Sequence, residues 1–219
     1  MSNPLNIIFA IDVSGSMQGE KIASINAYMN EIIFSWNDIK TKFNKEEILT
    51  SVLLYADSCH YLLKNSSNFE DFVWKEIYAG GCTNFGQAVN TINRQILASN
   101  KKLDKNCELV RPIIIFISDG NVNDDLFRAN KNALNNIMFK KAIKICVSVG
   151  DYADIDLLET IATNINTVIK INDIESLVRL LEKKVLSSED ALLLNQNDDN
   201  LDEGNEDSSK DDFFSSDWE

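Results

Sequence analysis

Short apolar runs alternate along the chain with longer segments in which apolar residues recur at helical spacing. The six runs cover residues 6–11, 48–56, 59–64, 112–118, 143–149 and 168–171. The run at 112–118 is continuous and rich in β-branched residues, which is typical of a strand buried on both faces of a sheet. Only the second and third runs are joined tightly, by Asp57-Ser58, which predicts a hairpin and therefore one antiparallel edge strand.

Between these runs, apolar residues recur every three or four positions, which predicts amphipathic helices facing a core. Three longer stripes consist of Ile22, Ile25, Met29, Ile32, Ile33 and Trp36, of Phe85, Ala88, Val89, Ile92, Ile96 and Leu97, and of Leu126, Ala129, Ala133 and Ile137. Two shorter stripes are Leu157, Leu158 and Ile161, and then Leu177, Leu180 and Leu181. Strand and helix alternating in this way predict an α/β fold, a doubly wound, mostly parallel sheet with helices on both faces.

The composition changes near the end of the chain, where polar and acidic residues replace apolar ones. We therefore divide the sequence into a folded domain, residues 1–186, and an acidic tail, residues 187–219. The tail carries −11 of the net charge of −13, because it holds twelve carboxylates and one lysine. Such a composition predicts disorder. Phe213, Phe214 and Trp218 close the tail, either as aromatics that pack loosely on the domain or as a short docking peptide that binds a partner.

Charge and cysteine usage exclude several classes of function. The domain is nearly neutral and has no basic block, which disfavours nucleic-acid binding. The start of the chain lacks the pattern of a signal peptide, and no apolar run has the length of a membrane span. We therefore expect a cytoplasmic protein that binds no membrane and has no disulfides. The four cysteines lack CxxC spacing and His60 is the sole histidine, which argues against a zinc site built from those residue types.

Polar residues follow the first strand and the strand at 112–118. Asp12-Val13-Ser14-Gly15-Ser16 follows the first, and Ser118-Asp119-Gly120 ends the other. Taken alone, the first segment could be a polar turn that caps the next helix. In doubly wound sheets, however, ligands bind where the strand order reverses, and these two strands can be neighbours at that point. Asp12 and Asp119 would then lie side by side, and two unpaired carboxylates there call for a cation.

Hydroxyl groups complete the candidate metal site. Ser14 and Ser16 share the first segment with Asp12, and Thr83 lies in Gly80-Gly81-Cys82-Thr83-Asn84, just before a helical stripe. All five donors are hard oxygen atoms, which favours Mg²⁺, or alternatively Mn²⁺ or Ca²⁺, over zinc. Two carboxylates neutralise a divalent ion and the hydroxyls add no charge. An Asp or Glu side chain of a partner protein could therefore replace a water molecule in its shell.

Asp12-x-Ser14-x-Ser16, Thr83 and Asp119, in this order, resemble the metal-ion-dependent adhesion site (MIDAS) of von Willebrand factor A (VWA) domains. The resemblance covers roughly residues 5–186. It implies a Rossmann-like sheet with one antiparallel edge strand. It also implies direct ligation by the two serines and the threonine, with Asp119 acting through water. The function implied is protein–protein interaction rather than catalysis.

A narrower resemblance covers residues 81–88, 112–125 and 148–154. These segments are similar to the TerY-type branch of bacterial VWA proteins, which is associated with tellurium-resistance and stress-response loci. That branch often accompanies a Ser/Thr kinase and a PP2C-type phosphatase, so the resemblance implies one of these as the partner. Cys82 departs from the branch pattern, where Gly is common, and so does the acidic tail.

Two other functions remain open. Asp12 and Asp119 could serve a metal-dependent phosphohydrolase, although no nucleophile or general base accompanies them. Asp57-Ser58-Cys59-His60 groups reactive residue types, but neighbours on a strand point to opposite faces and cannot act together. Alternatively, a tail carboxylate could enter the metal site of its own or a neighbouring chain, which would make the protein an autoinhibited or self-assembling scaffold.

Further acidic residues lie near the predicted strand ends. Asp124 and Asp125 open a helical stripe, where they can cap the helix and complement its dipole. They can also rim the metal-side surface and contact a partner. Asp151 and Asp154 follow another strand and allow the same two interpretations.

Overall fold

The computed structural model describes residues 3–41, 47–101 and 110–181. The predicted acidic tail, residues 187–219, lies outside these ranges. So do its aromatic residues Phe213, Phe214 and Trp218 and the predicted domain boundary at residue 186. The division into domain and tail therefore stays a prediction.

Six strands form one sheet in the order β3-β2-β1-β4-β5-β6. They are β1 (Leu5–Asp12), β2 (Ile48–Tyr55), β3 (Cys59–Ser66), β4 (Ile113–Ser118), β5 (Ile143–Ser148) and β6 (Val168–Lys170). All neighbouring strands are parallel except β2 and β3. The hairpin between those two closes where the Ala56 N–H donates to the Ser58 carbonyl at 3.1 Å. The predicted mostly parallel sheet with one antiparallel edge strand is confirmed.

Helices cover both faces of the sheet. They are α1 (Glu20–Phe34), α2 (Trp36–Thr41), α3 (Phe85–Asn100), α4 (Leu126–Ala133), α5 (Ile137–Lys141), α6 (Ile155–Ile161) and α7 (residues 174–181). Side chains alternate along β1, so that Ile7 and Phe9 pack with α1, α2 and α7, whereas Ile8 and Ala10 pack with α3 to α6. Within the described ranges, no helix is long and apolar enough to cross a membrane.

Two of the predicted helical stripes are each divided between two helices. Ser35 separates α1 from α2. The segment between α4 and α5 contains Asn136, whose side chain accepts a hydrogen bond of 3.1 Å from the Met138 N–H and starts a new helix. Leu97, at the end of the undivided α3 stripe, and Ile137, at the end of the stripe divided between α4 and α5, are 43% and 56% exposed. Helical spacing thus located the buried faces but not the breaks, because local capping bonds set them.

The order of the strands places the candidate site at the carboxyl ends of the two central strands, β1 and β4. From β1 the chain continues to β2 on one side, and from β4 it continues to β5 on the other. β1 and β4 are direct neighbours, with Ile11 opposite Ile117. Asp12 and Asp119 therefore leave adjacent parallel strands at their carboxyl ends, as the sequence predicts for a switch point.

Candidate metal centre

Asp12 is the last residue of β1 and is completely buried. Its Oδ1 accepts a hydrogen bond from the Ser14 N–H at 2.9 Å, and its Oδ2 accepts one from the Ser118 hydroxyl at 2.8 Å. The carboxylate is therefore held in one orientation by the turn that follows β1 and by the end of β4.

Ser14 precedes the short 3-10 turn Gly15–Met17, but its side chain makes no capping hydrogen bond. Its Oγ instead lies 3.2 Å from the Oγ of Ser16. Gly19, the residue before α1, offers no side-chain cap either. The serines therefore do not cap a helix through their side chains, although the bond from the Ser14 N–H to Asp12 Oδ1 is that of a polar turn.

Asp119 follows β4 and is also completely buried. Its Oδ1 accepts a hydrogen bond from the Asn121 N–H at 3.0 Å, and its Oδ2 lies 2.6 Å from the ammonium nitrogen of Lys21. The same ammonium donates to the Ser16 carbonyl at 3.1 Å. Lys21, in the first turn of α1, thus brings a positive charge to the carboxylates.

The two carboxylates differ in how easily they ionise. Burial raises the pKa of Asp12, and the negative charge of Asp119 raises it further, against the hydrogen bonds from Ser14 and Ser118. Burial also acts to raise the pKa of Asp119, but the bonds from Lys21 and Asn121 outweigh it and hold the pKa below its ordinary value. The surroundings of Asp119 accordingly stabilise its anionic form, whereas burial disfavours the anionic form of Asp12.

A second loop is hydrogen-bonded to the turn after β1. The Gly80 N–H donates to the Val13 carbonyl at 2.7 Å, and the Gly15 N–H donates to the Gly81 carbonyl at 2.8 Å. Such reciprocal backbone bonds fix the separation of the two loops. They bring Thr83, from the second loop, to the side of the sheet where Asp12 and Asp119 end.

Thr83 is 3% exposed and its backbone is held on both sides by Asn123. The Thr83 N–H donates to the Asn123 side-chain oxygen at 2.7 Å, and the Asn123 N–H donates to the Thr83 carbonyl at 2.8 Å. Within the described parts of the chain, the Thr83 hydroxyl itself makes no hydrogen bond. Its oxygen is therefore available to a ligand.

Gly81 shows why the second loop needs a glycine. Its φ is +83°, and a Cβ there would lie 2.2 Å from Oδ2 of Asp57. Oδ1 of the same carboxylate accepts a hydrogen bond from the Cys82 N–H at 2.9 Å. Asp57 thus holds the loop before Thr83 in place, a role that its grouping with Ser58, Cys59 and His60 in the sequence did not reveal.

Asp124 and Asp125 have different contacts. Both oxygens of Asp124 accept hydrogen bonds from the first turn of α3, one from the Gly86 N–H and one from the Gln87 N–H, each at 2.9 Å. Asp125 caps its own helix, α4, by accepting from the Arg128 N–H at 2.9 Å. Asp124 therefore caps a different helix from the one it opens, and the role of either residue in partner binding stays a prediction.

The sequence missed four residues that shape the site. Lys21, Asp57, Ser118 and Asn123 contact the predicted ligands or their loops, as described above. Ser118 could have been suspected from its place between a buried strand and Asp119. The other three lie far along the chain from the residues they hold, and no local pattern marks them.

The donor set fits a hard divalent cation only if hydroxyl oxygens take part. In the described ranges there is no cluster of three or more His, Cys, Asp or Glu residues that could hold a metal. What the fold assembles is two completely buried carboxylates, a close pair of serine hydroxyls and a threonine hydroxyl without a hydrogen bond. Such oxygen donors are compatible with Mg²⁺, Mn²⁺ or Ca²⁺.

Solved structures with a similar fold come from organisms that are only distantly related to one another. An aerotolerance-related membrane protein from Bacteroides fragilis aligns with a TM-score of 0.57 and 14% identity, over 84% of this chain and 99% of that one. Proximal thread matrix protein 1 from the mussel byssus, in a structure with a zinc-occupied MIDAS motif, aligns with a TM-score of 0.55 and 18% identity. That match covers 84% of this chain and 46% of the mussel protein.

A third structure is that of VWA2, the ArnB paralog from Sulfolobus acidocaldarius, with a TM-score of 0.55 and 19% identity over 83% of this chain and 45% of that one. This chain therefore spans nearly all of the Bacteroides protein but less than half of the other two. At such identities the likeness concerns the fold alone.

Curated protein sequences gave no match to this chain. The family model of the von Willebrand factor type A domain matches residues 6–183. This range contains β1 apart from its first residue, Leu5, all of β2 to β6, and the five predicted metal ligands. The chain belongs to the von Willebrand factor type A domain family.

Proposed function

We propose that this chain is a non-enzymatic interaction module that binds Mg²⁺ through Asp12, Ser14, Ser16, Thr83 and Asp119 and recognises an acidic side chain of a partner protein. VWA domains generally bind protein partners, often through a metal held at a MIDAS. The observation that carries the proposal is the burial of Asp12 and Asp119 at adjacent strand ends. The Ser14 and Ser16 hydroxyls lie on the turn after β1, and Thr83 lies on a loop that is hydrogen-bonded to that turn.

The chain's own residues supply the preorganisation that such a site needs. Ser118 and the Ser14 N–H orient Asp12, and Asn123 holds the backbone of Thr83. A divalent cation bound there would supply a positive centre for the partner's carboxylate. Lys21 adds a further positive charge next to Asp119. The charge count made from the sequence, two carboxylates against one divalent ion, did not include this lysine. The local charge therefore favours an acidic partner.

We also propose a class of partner protein and a cellular process, both from the narrower resemblance in the sequence. The resemblance to the TerY-type branch supports a Ser/Thr kinase or a PP2C-type phosphatase as partner, in a cytoplasmic response to stress or tellurium compounds. The solved structures share only the fold with this chain and do not bear on that branch. The zinc-occupied MIDAS of the mussel protein makes zinc a metal that has to be compared with Mg²⁺.

Calorimetric titration of the full chain with Mg²⁺, Mn²⁺, Ca²⁺ and Zn²⁺ tests the metal assignment. Asp12→Asn is the informative variant, because it removes the charge yet keeps the side chain's size and an acceptor for the Ser14 N–H. We expect the variant to lose Mg²⁺ binding. Glu175→Gln, which removes an exposed carboxylate paired with Arg179 on α7, should bind like the wild type. Equal Mg²⁺ affinity in wild type and Asp12→Asn would refute the ligand assignment.

Partner recognition is tested by affinity capture from native lysate, with wild type and Asp12→Asn each in Mg²⁺ and in EDTA. A protein retained only by the wild type in Mg²⁺ supports the proposal and names the partner. Retention under all four conditions would place the interaction on another surface.

Hydrolysis of an aryl phosphate by the wild type with Mn²⁺, lost in Asp12→Asn, would instead establish the phosphohydrolase.

A further inference from the structure

Lys21 is built into the candidate metal centre rather than placed loosely over it. Its ammonium contacts Asp119 Oδ2 at 2.6 Å and the Ser16 carbonyl at 3.1 Å. Its side chain is 27% exposed, and its carbon stem passes over Gly150, after β5, where a Cβ would lie 2.8 Å from Lys21 Cε. The ammonium is therefore held by groups from the turn after β1 and the end of β4, with a glycine making room for its stem.

Asp119 is the shared partner of this arrangement. It is completely buried, so its charge needs compensation, and Lys21 supplies that compensation from within the chain. A divalent cation that used Asp119, directly or through water, would meet a positive charge already bound to the same carboxylate. The cation and the Lys21 ammonium, both bound to one carboxylate, would repel each other. Because the site is partly buried, solvent screens this repulsion less than it would at the surface.

We infer that Lys21 competes with the divalent cation for Asp119 and thereby sets the metal affinity of the site, an inference that rests on the proposed function. The lysine acts as an internal cation that stabilises the metal-free protein. Metal binding then includes the cost of weakening the ion pair between Lys21 and Asp119. The alternative role for Lys21 is purely structural, as an ion pair that secures the start of α1 regardless of metal.

Titration of the full chain with Mg²⁺ separates these roles. Lys21→Met removes the charge and keeps most of the stem, and Lys21→Arg keeps the charge. Lys40→Met is the matched control, because Lys40 also pairs with a carboxylate, Glu70 at 3.0 Å, but belongs to α2. We expect Lys21→Met to bind Mg²⁺ about tenfold more tightly or more, because a neighbouring unit charge is removed. Lys21→Arg should stay close to the wild type and Lys40→Met should match it.

Thermal unfolding in EDTA and in Mg²⁺ provides a second readout. Lys21→Met leaves a buried carboxylate unpaired, so we expect it to melt below the wild type in EDTA and to recover most of that difference in Mg²⁺. A purely structural ion pair predicts the same loss in both solutions. Should Lys21→Met fail to fold in EDTA, Lys21→Gln keeps a donor for Asp119 without the charge and serves for the same comparison.

The outcomes distinguish this inference from the proposed function. Tighter Mg²⁺ binding by Lys21→Met supports the inference, including the case in which the wild type binds no Mg²⁺ and only the proposed function fails. Binding by the wild type with equal or weaker binding by Lys21→Met overturns the inference and leaves the proposed function standing. Absence of binding in both proteins overturns both.

Discussion

At the scale of single residues, the site depends on hydrogen bonds that orient buried charged side chains. Ser118 is the clearest case, because its hydroxyl donates to Asp12 Oδ2 at 2.8 Å and accepts from the Gly120 N–H at 3.0 Å. It is itself completely buried, so water cannot replace either partner. The orientation of Asp12 therefore depends on a residue that is not a candidate ligand.

Replacement of Ser118 by Ala should destabilise the protein and weaken metal binding together. The variant leaves an acceptor and a donor unsatisfied in the interior, which costs about 1–3 kcal/mol of unfolding free energy. Loss of a residue that orients a ligand should lower Mg²⁺ affinity about tenfold. Denaturant titration and calorimetry measure the two effects, and unchanged affinity in a destabilised variant would show that Asp12 does not need this bond.

Lys144 illustrates a buried charge without a matching carboxylate. It is 7% exposed, donates to the Phe139 carbonyl at 3.3 Å and lies over the Phe139 ring. Within the described ranges no carboxylate pairs with it, and burial lowers the pKa of its ammonium. Its charged form is therefore disfavoured in the folded protein.

We expect Lys144→Met to stabilise the protein at pH 7 by about 1 kcal/mol. Because the pKa of Lys144 is lower in the folded protein, the penalty is full below that folded pKa and fades as the pH rises towards the unfolded value of 10.5. The stability difference between variant and wild type should shrink over that interval. Urea unfolding at several pH values measures it, and a destabilised variant at pH 7 would contradict the prediction.

At the scale of elements, the loops at the carboxyl edge of the sheet are joined by capping bonds that cross from one element to another. Asp124 precedes α4 but caps the first turn of α3 with both oxygens, so it links the loop after β4 to the loop that carries Thr83. Gly86 leaves room for this contact, because a Cβ there would lie 2.9 Å from Asp124 Oδ2. Negative charge at the start of α3 also complements the helix dipole.

Asp124→Ala and Asp125→Ala therefore form an informative pair. Asp124 is half-buried and makes two capping bonds, so its replacement should cost about 1–2 kcal/mol of unfolding free energy. Asp125 is exposed and makes one, so its replacement should cost about 0.5 kcal/mol. Thermal or chemical unfolding measures the two losses. Equal losses would mean that the bonds from Asp124 to α3 add no stability beyond that of an ordinary helix cap. Partner binding by each variant tests their second predicted role.

At the scale of the whole molecule, the described core and most of the net charge lie in different parts of the sequence. Both core clusters and all six strands lie between residues 3 and 181, whereas residues 187–219 carry most of the net negative charge. The described residues bury two contiguous apolar layers, one on each face of the sheet. Such layers are the usual hydrophobic core of an α/β domain of this size.

Deletion of residues 187–219 should accordingly leave the melting temperature and the Mg²⁺ affinity unchanged. The described core and the five proposed metal ligands all lie upstream of the deletion. Calorimetry and size-exclusion chromatography of both forms measure this. Tighter Mg²⁺ binding after deletion would favour an autoinhibitory tail that competes for the site, and a change in oligomeric state would favour self-assembly.

The sequence by itself determined the class of fold, because it follows from patterns that act locally. The meeting of Asp12 and Asp119 was predicted from the general rule for switch points in doubly wound sheets, and the pairing of β1 with β4 decided it. Continuous β-branched runs specify buried strands, helical spacing specifies the covering helices, and parallel strands end at one edge. The spacing of Asp12, Ser14 and Ser16 within a single turn likewise needs no tertiary information.

The tertiary structure decided which distant residues neutralise, orient and support that constellation. Lys21 meets Asp119, Asp57 holds the loop before Thr83, and Asp124 caps a helix to which it does not belong. These contacts join residues far apart along the chain, so their energies depend on how the loops pack at the sheet edge. Periodicity and local motifs do not record such packing, which is why the charge balance of the site emerged only from the fold.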